Sequence, residues 1–322
     1  MNRLIKAALL GCAAPSVVLW PAVAQACASC GCTLTADWLS QGLAAQPGTT
    51  VSLRYDYIPQ TSLQSGTDQI DVDSVPLPSD REIERYTYNH VVTATLDHQF
   101  ASDWGIDVQL PYFVRPHSTF AEDTTEPSHS NTEGFGDVRV TARWQGLSKP
   151  GSVTGIEGGL VLPTGRFRKT FDAGPEAGGE VDRGLQPGTG TVQASAALYR
   201  LGAISPEVGY FVQIGGQTAL DSRAGYKPGS FVQVAGALNY AHWRGFTPQL
   251  QVSFRATGRD SGPNSDRPNS GGEQINLSPG FSARLGGRLT ATAFVELPLY
   301  NKVNGYQLTP KVKASVGLIA RL

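Results

Sequence analysis

The residues of this 322-residue chain that are equipped for chemistry fall into three groups. The first is a run of thiols, Cys27-Ala28-Ser29-Cys30-Gly31-Cys32. The spacing C-x-x-C-x-C brings three thiolates within reach of one soft ion such as Cu(I) or Zn(II), although no fourth ligand is visible nearby. Cys30 is followed by Gly31 rather than by a Cys-His pair, which excludes haem attachment. Two other readings stand beside a metal site at Cys27, Cys30 and Cys32. Two of the thiols could join in a disulfide in an oxidising compartment, or Cys27 could carry a lipid.

The second group is a set of charges that recur at every other position between apolar neighbours: Arg54, Asp56, Asp107, Arg139, Arg143, Glu157, Arg255 and Glu296. Charges on one face of a sheet line an interior if that sheet closes on itself, and such rings select permeants by sign and dipole. Mixed signs argue against strong ion selectivity. The alternative is that the charges pair into ladders that fill the interior. The third group is His117-Ser118 and His129-Ser130, the combinations that would suggest a base beside a nucleophile. Neighbours in a strand face opposite sides, and both pairs lie in a Ser/Thr-rich segment, so the expectation is that the protein is not an enzyme.

The elements that carry these side chains are long and alternating. In residues 104–115, Trp104, Ile106, Val108, Leu110, Tyr112 and Val114 alternate with Gly105, Asp107, Gln109, Pro111, Phe113 and Arg115. Residues 86–100 repeat the pattern, and Ala101-Ser102-Asp103 is only a tight turn. Two strands of well over ten residues exceed the usual five or six. The same rhythm continues from Thr49 to Leu322 and yields about twelve strands. Links at 58–82, 116–133, 163–190, 215–228 and 258–271 are long, whereas those at 101–103, 148–151, 201–204, 242–245 and 286–287 are short. Long loops at one end and tight turns at the other, with an even strand number, describe an outer-membrane barrel. The link 163–190 reads as an ordinary external loop, with an inward-folded constriction as the alternative.

A soluble sandwich also alternates, but with its charges outward. A charge on the lipid face of a barrel costs about 2–4 kcal/mol near the midplane, so there the charged face must be the lumen. One parity holds through every strand, and His90 and His98 are the main blemishes on the apolar face. Residues 1–26 have the form of a cleaved secretory signal: Arg3 and Lys6, then an apolar stretch to Trp20, then Ala24-Gln25-Ala26. No later apolar run approaches the roughly 20 residues of a spanning helix. A net charge of −1 offers no basic stripe for nucleic acid.

Four segments resemble a known family: Gly136-Asp137-Val138-Arg139-Val140, Leu162-Pro163-Thr164-Gly165-Arg166-Phe167, the stretch from Asp182 to Gly190, and Asn304-Gly305-Tyr306-Gln307-Leu308. Together, over residues 50–322, they are similar to bacterial outer-membrane β-barrel transporters of the phenol meta-degradation type. The resemblance implies a passive channel and supplies no set of binding residues.

The sequence therefore predicts an all-β protein: a transmembrane antiparallel up-and-down β-barrel of about 12 strands over residues 49–322, preceded by a signal peptide (1–26) and a periplasmic Cys-containing segment (27–48). The function expected is a porin-like passage of small solutes across the outer membrane of a Gram-negative bacterium. The other reading is a non-conducting barrel that anchors a metal, redox or partner-binding segment in the periplasm. Outer-membrane lipid, a small permeant and a periplasmic protein are the partners to be tested, with no cofactor beyond a soft metal ion at the cysteines.

Overall fold

The structure, a computed structural model, describes residues 47–241 and 245–322. The signal region and Cys27, Cys30 and Cys32 lie outside the described residues. The strands are β1 (Gly48–Gly66), β2 (Asp68–Ile70), β3 (Ile83–Gln99), β4 (Trp104–Phe120) and β5 (Pro127–Phe135). They continue with β6 (Val138–Trp144), β7 (Ser152–Leu162), β8 (Gln193–Ala203), β9 (Val208–Ala219) and β10 (Phe231–Tyr240). The last are β11 (Phe246–Thr257), β12 (Gly272–Gly286), β13 (Leu289–Pro310) and β14 (Lys313–Arg321).

Consecutive strands pair antiparallel around a single sheet, and β14 returns to β1 through a register running from Thr50↔Arg321 to Tyr57↔Ala314. Closure leaves no edge, which is the condition for a sheet to sit in lipid. Two of the strands are not separate staves. β2 is a short flap paired with β1. β5 and β6 share one place in the wall, because β4 pairs with β6 from Trp104 to Gln109 and with β5 from Tyr112 to Phe120. The barrel therefore has twelve staves.

The alternation explains the wall. Leu53, Leu96, Val234 and Leu250 are about half exposed and belong to a continuous outward apolar band, while Asp56, Asp97, Gln251 and Ser253 on the other parity are buried. A sandwich would bury the first set and expose the second; here the faces are exchanged. The two histidines on the apolar face are masked locally. His90 Nδ1 shares a hydrogen bond with the Tyr55 hydroxyl at 2.8 Å, and His98 Nδ1 with Thr49 Oγ1 at 2.8 Å.

The structure departs from the sequence reading at the long-loop end. Residues 58–66, 116–120 and 127–133, expected as loop, are strand. They rise above the apolar band as hairpins. In the one formed by β4 and β5 both faces are polar (Ser118, Ser128, Ser130, Thr132), so the apolar half of the alternation is missing there, whereas the segment 58–66 buries Leu63 against Ile83 and Leu308. β13 likewise runs past Leu299: up to Val303 it pairs with β12, and from Tyr306 to Pro310 with β1. The chain reverses at Asn304-Gly305 and leads straight into β14.

The facing of each side chain is testable in β4. Arginine in place of the outward Val108 should block assembly at a cost of about 2–4 kcal/mol, whereas arginine in place of its inward neighbour Gln109 should fold. Heat-modifiable migration on a gel reads the outcome, and equal tolerance at both positions would refute the assignment of faces.

Candidate functional site: the lumen

A hollow of about 190 Å³ opens inside the barrel. Its position follows from two adjacent rungs of the ladder that cross six staves, β6 to β11. One rung reads Arg143, Glu157, Ala197, Gly215, Gln233, Arg255; the next reads Thr141, Gly159, Ser195, Gln217, Phe231, Thr257. In the first rung the large groups stand at the ends, and across both rungs the small ones, Gly159, Ser195, Ala197 and Gly215, cluster on β7 to β9. Space opens where inward side chains are short.

Six of the eight predicted lumen residues line this hollow: Arg54, Asp107, Arg139, Arg143, Glu157 and Arg255. Arg143 grips Asp97 with both terminal guanidinium nitrogens, at 2.7 and 2.9 Å, and Arg54 Nε donates to Asp56 at 2.9 Å. Arg139 donates to Gln217 Oε1 at 2.6 Å and to Ser195 Oγ at 3.3 Å. Gln213 and Gln109 donate to Glu157 and Asp107 at 3.1 and 3.0 Å. Asp56 and Glu296 are not among the lining residues. Asp56 is sealed behind Arg54, and Glu296 is buried against Lys313 Nζ at 2.5 Å. The side of the barrel formed by β12, β13 and β14 contributes none of the lining, and the open space lies against β1, β3, β4 and β6 to β11. Alternation predicts which residues face inward; it carries no information on which of them find a partner within reach.

Beneath the hollow, toward the tight turns, lies a floor that the charge pattern does not announce. Tyr199, Phe211, Ala237 and Phe294 form one buried cluster, with Val153 and Leu201 against it. Phe294 comes from β13 and the others from β8 to β10, so this contact reaches across the lumen. Glycines admit the rings. Gly155 pairs with Tyr199 and Gly280 with Phe294, and a Cβ on either glycine would strike the ring lying over it. Gln145 Nε2 holds the Tyr199 hydroxyl at 2.8 Å. The signal was present in the sequence as aromatic residues on the polar parity: Phe211 between Tyr210 and Val212, and Phe294 between Ala293 and Val295.

Above the hollow, residues 163–190 turn inward, contrary to the external-loop reading. Arg115, on the inward face of β4, donates to the carbonyls of Gly184 and Gln186 at 3.3 and 3.5 Å, and Thr132 Oγ1 to that of Leu185 at 2.8 Å. Val181 and Leu185 pack on Phe171. Both ends of the loop are bound by one side chain: Asp137 accepts from Gly165 N, Thr189 N and Thr189 Oγ1 at 2.9, 2.8 and 2.7 Å. Gly165 and Gly188 touch backbone to backbone at the crossing, where a Cβ on Gly188 would sit 2.5 Å from the Gly165 carbonyl. The motifs around residues 136–140, 162–167 and 182–190 therefore belong to one assembly, the root and body of this roof.

The roof brings carboxyl groups together. Burial, with Glu82, Asp266 and Glu84 nearby, raises the Asp182 carboxyl well above the ordinary range. Burial raises that of Asp266 to about 6. The histidine–serine pairs do not assemble a catalytic site. His117 faces Ser130 and Ser118 faces His129 across the β4–β5 ladder, but His117 Nδ1 is shared with Thr87 Oγ1 at 2.9 Å. Among the described residues no hydrogen bond joins either histidine to a serine hydroxyl.

The fold, a closed antiparallel barrel of twelve staves with an apolar outer band, is that of bacterial outer-membrane β-barrels. No protein-family model and no curated protein matches the sequence. Among solved structures, the chain is similar to an outer-membrane channel of Pseudomonas putida F1, with a TM-score of 0.63 at 11% identity over 86% of this chain and 96% of that one. The CymD monoaromatic hydrocarbon channel aligns with a TM-score of 0.48 at 10% identity over 90% and 93% of the two chains. The KdgM porin in complex with oligogalacturonate aligns with a TM-score of 0.43 at 8% identity over 85% and 99%. The first of these supports the twelve-staved architecture; the other two are too distant in shape to add to it.

Two outcomes follow. Removing Asp97 as Asp97→Ala leaves the Arg143 guanidinium buried without its carboxylate and should cost about 3–5 kcal/mol, read as a lowered urea midpoint of the refolded barrel. In the roof, acids whose folded pKa exceeds the unfolded value stabilise fully below about 3.8, and the contribution is lost as pH rises through about 6. Amide exchange over residues 181–186, corrected for intrinsic rate, should accordingly be faster at pH 7.5 than at pH 5; the reverse order would contradict the assignment.

Proposed function

We propose that this protein is an outer-membrane channel of a Gram-negative bacterium, of the phenol meta-degradation type, through which small polar solutes cross by way of the charge-lined lumen. The observation that carries the reading is the hollow itself. A closed barrel whose only task was anchorage would have no need of a wet space ringed by Arg54, Arg139, Arg255, Asp107 and Glu157. Twelve staves stand between filled eight-stranded barrels and open porins of sixteen or more, and the interior here holds both a packed cluster and a hollow. The similarity to the Pseudomonas channel over nearly its whole length supports the same reading. By the general habit of such barrels, the tight turns and both chain ends face the periplasm and the roof faces outward. The apolar band is then the surface for outer-membrane lipid.

The packed floor favours the second reading, a non-conducting barrel that holds the segment 27–48 and its Cys27, Cys30 and Cys32 for a metal ion, a disulfide or a periplasmic partner. In the channel reading the same rings are a hydrophobic gate, a constriction that opens by side-chain rearrangement and wetting.

Planar-bilayer conductance of the refolded mature protein separates the two. The channel reading expects small steady currents, and a several-fold increase in the Phe211→Ala/Phe294→Ala double variant. Silence from both proteins, with folding verified on a gel, would favour the anchor and direct attention to metal analysis of the cysteines.

A further inference from the structure

The hollow contains one cation whose arrangement differs from that of the others. Arg54 and Arg143 hold carboxylates, and Arg139 is engaged with Gln217 and Ser195. Arg255 lies with its guanidinium carbon 3.6 Å over the centre of the Phe231 ring, and its Nε donates to Thr257 Oγ1 at 3.3 Å. Among the described residues it meets no carboxylate within ion-pair distance. The ring covers one face of the guanidinium and the threonine takes its inner edge. The remaining edge, with the two terminal nitrogens, lies at a half-buried position on the wall of the hollow, oriented by the ring and the threonine. That edge matches the two oxygens of a carboxylate.

What lies beside it defines the rest of the ligand. Ala197, Gly215, Gly216 and the edge of Phe231 give a short apolar wall, and Gln217 and Gln233 give neutral polar groups. Asp97, Asp107 and Glu157 also line the hollow, beside Arg54, Arg139 and Arg143, and these carboxylates disfavour a second negative charge on the ligand. The volume, about 190 Å³, exceeds the roughly 150 Å³ of an engineered protein cavity that takes up benzene. We infer that the hollow is a binding site for a small monocarboxylate with a compact apolar body, its carboxylate on Arg255 and its body against Phe231 and the glycine wall. This deepens the channel reading, on which it rests for the route by which the ligand arrives.

The test uses benzoate, benzyl alcohol and benzylamine, three probes of one size and different charge, titrated against the folded mature protein in detergent and followed by saturation-transfer NMR. Benzoate should bind, and the alcohol and the amine should bind about tenfold or more weakly. Arg255→Gln should lower benzoate affinity by about tenfold or more. Phe231→Leu, which leaves the charge and frees its orientation, should lower it by a smaller factor. Each variant is checked first for heat-modifiable folding, and Phe231→Leu decides the question if Arg255→Gln does not fold. Benzoate binding that neither substitution weakens, binding of benzylamine equal to that of benzoate, or no benzoate binding at all would overturn the site. Conductance recorded on the same preparations distinguishes the two readings. A silent bilayer with Arg255-dependent benzoate binding would refute the channel and keep the site, whereas currents without such binding would do the opposite.

Discussion

The constraint on which the rest of the structure depends is the hydrogen bond that closes the sheet. In lipid each unpaired backbone group costs several kcal/mol, so a sheet that presents an apolar outer face to lipid must have no edge. The pairing of β1 with β14 supplies this, from Thr50↔Arg321 to Tyr57↔Ala314. Once the sheet is closed, the two-residue period of the strand assigns every side chain to lipid or to lumen with no third choice. The charges follow from that assignment. Asp56, Asp97, Arg143, Glu296 and Lys313 are inside because the outside cannot hold them, and once inside they pair because an unpaired buried ion is costlier still. The interior is thus a by-product of the wall before it is a site.

What makes part of it a site is the absence of side chains. Glycine in a strand weakens it, and this chain places Gly159 and Gly215 where the ladder crosses the middle of the lumen, and Gly155 and Gly280 beneath the rings of the floor. The first pair leaves the space of the hollow. The second pair lets Tyr199 and Phe294 lie flat against the wall and reach one another's neighbourhood. The same residue type therefore opens the barrel at one height and permits its closure at another, and the difference lies in what stands on the next strand.

The wall was readable from residues 86–115 alone, because there a charge occurs on one parity and an apolar group on the other. Reading faltered where one half of the alternation is missing. Ser118, Ser128, Ser130 and Thr132 are strand residues whose neighbours are also polar, since the hairpin they build stands clear of the lipid and both its faces can be wet or covered by the roof. It faltered again at Tyr199, Phe211, Phe231 and Phe294, apolar groups on the inward parity, whose significance depends on contacts between strands far apart in the chain. Six of the eight lumen charges lie on the hollow as expected from parity; Asp56 and Glu296 do not, because Arg54 and Lys313 are close enough to bury them. Distance between staves is tertiary information and no local pattern contains it.

Asp137 binds the two roots of the 163–190 loop, through Gly165 on one side and Thr189 on the other. The staves that carry those roots, β7 and β8, are paired over Ser152↔Gly202 to Val161↔Gln193 without help from the loop. The span between the roots is consequently a closed ring set on a finished wall. Its length and composition can change without shifting the register of any strand, and for an evolving lineage, or an engineer, it behaves as an exchangeable cassette. The barrel keeps its lipid contacts, its rungs and its floor while the cap over the lumen is rewritten.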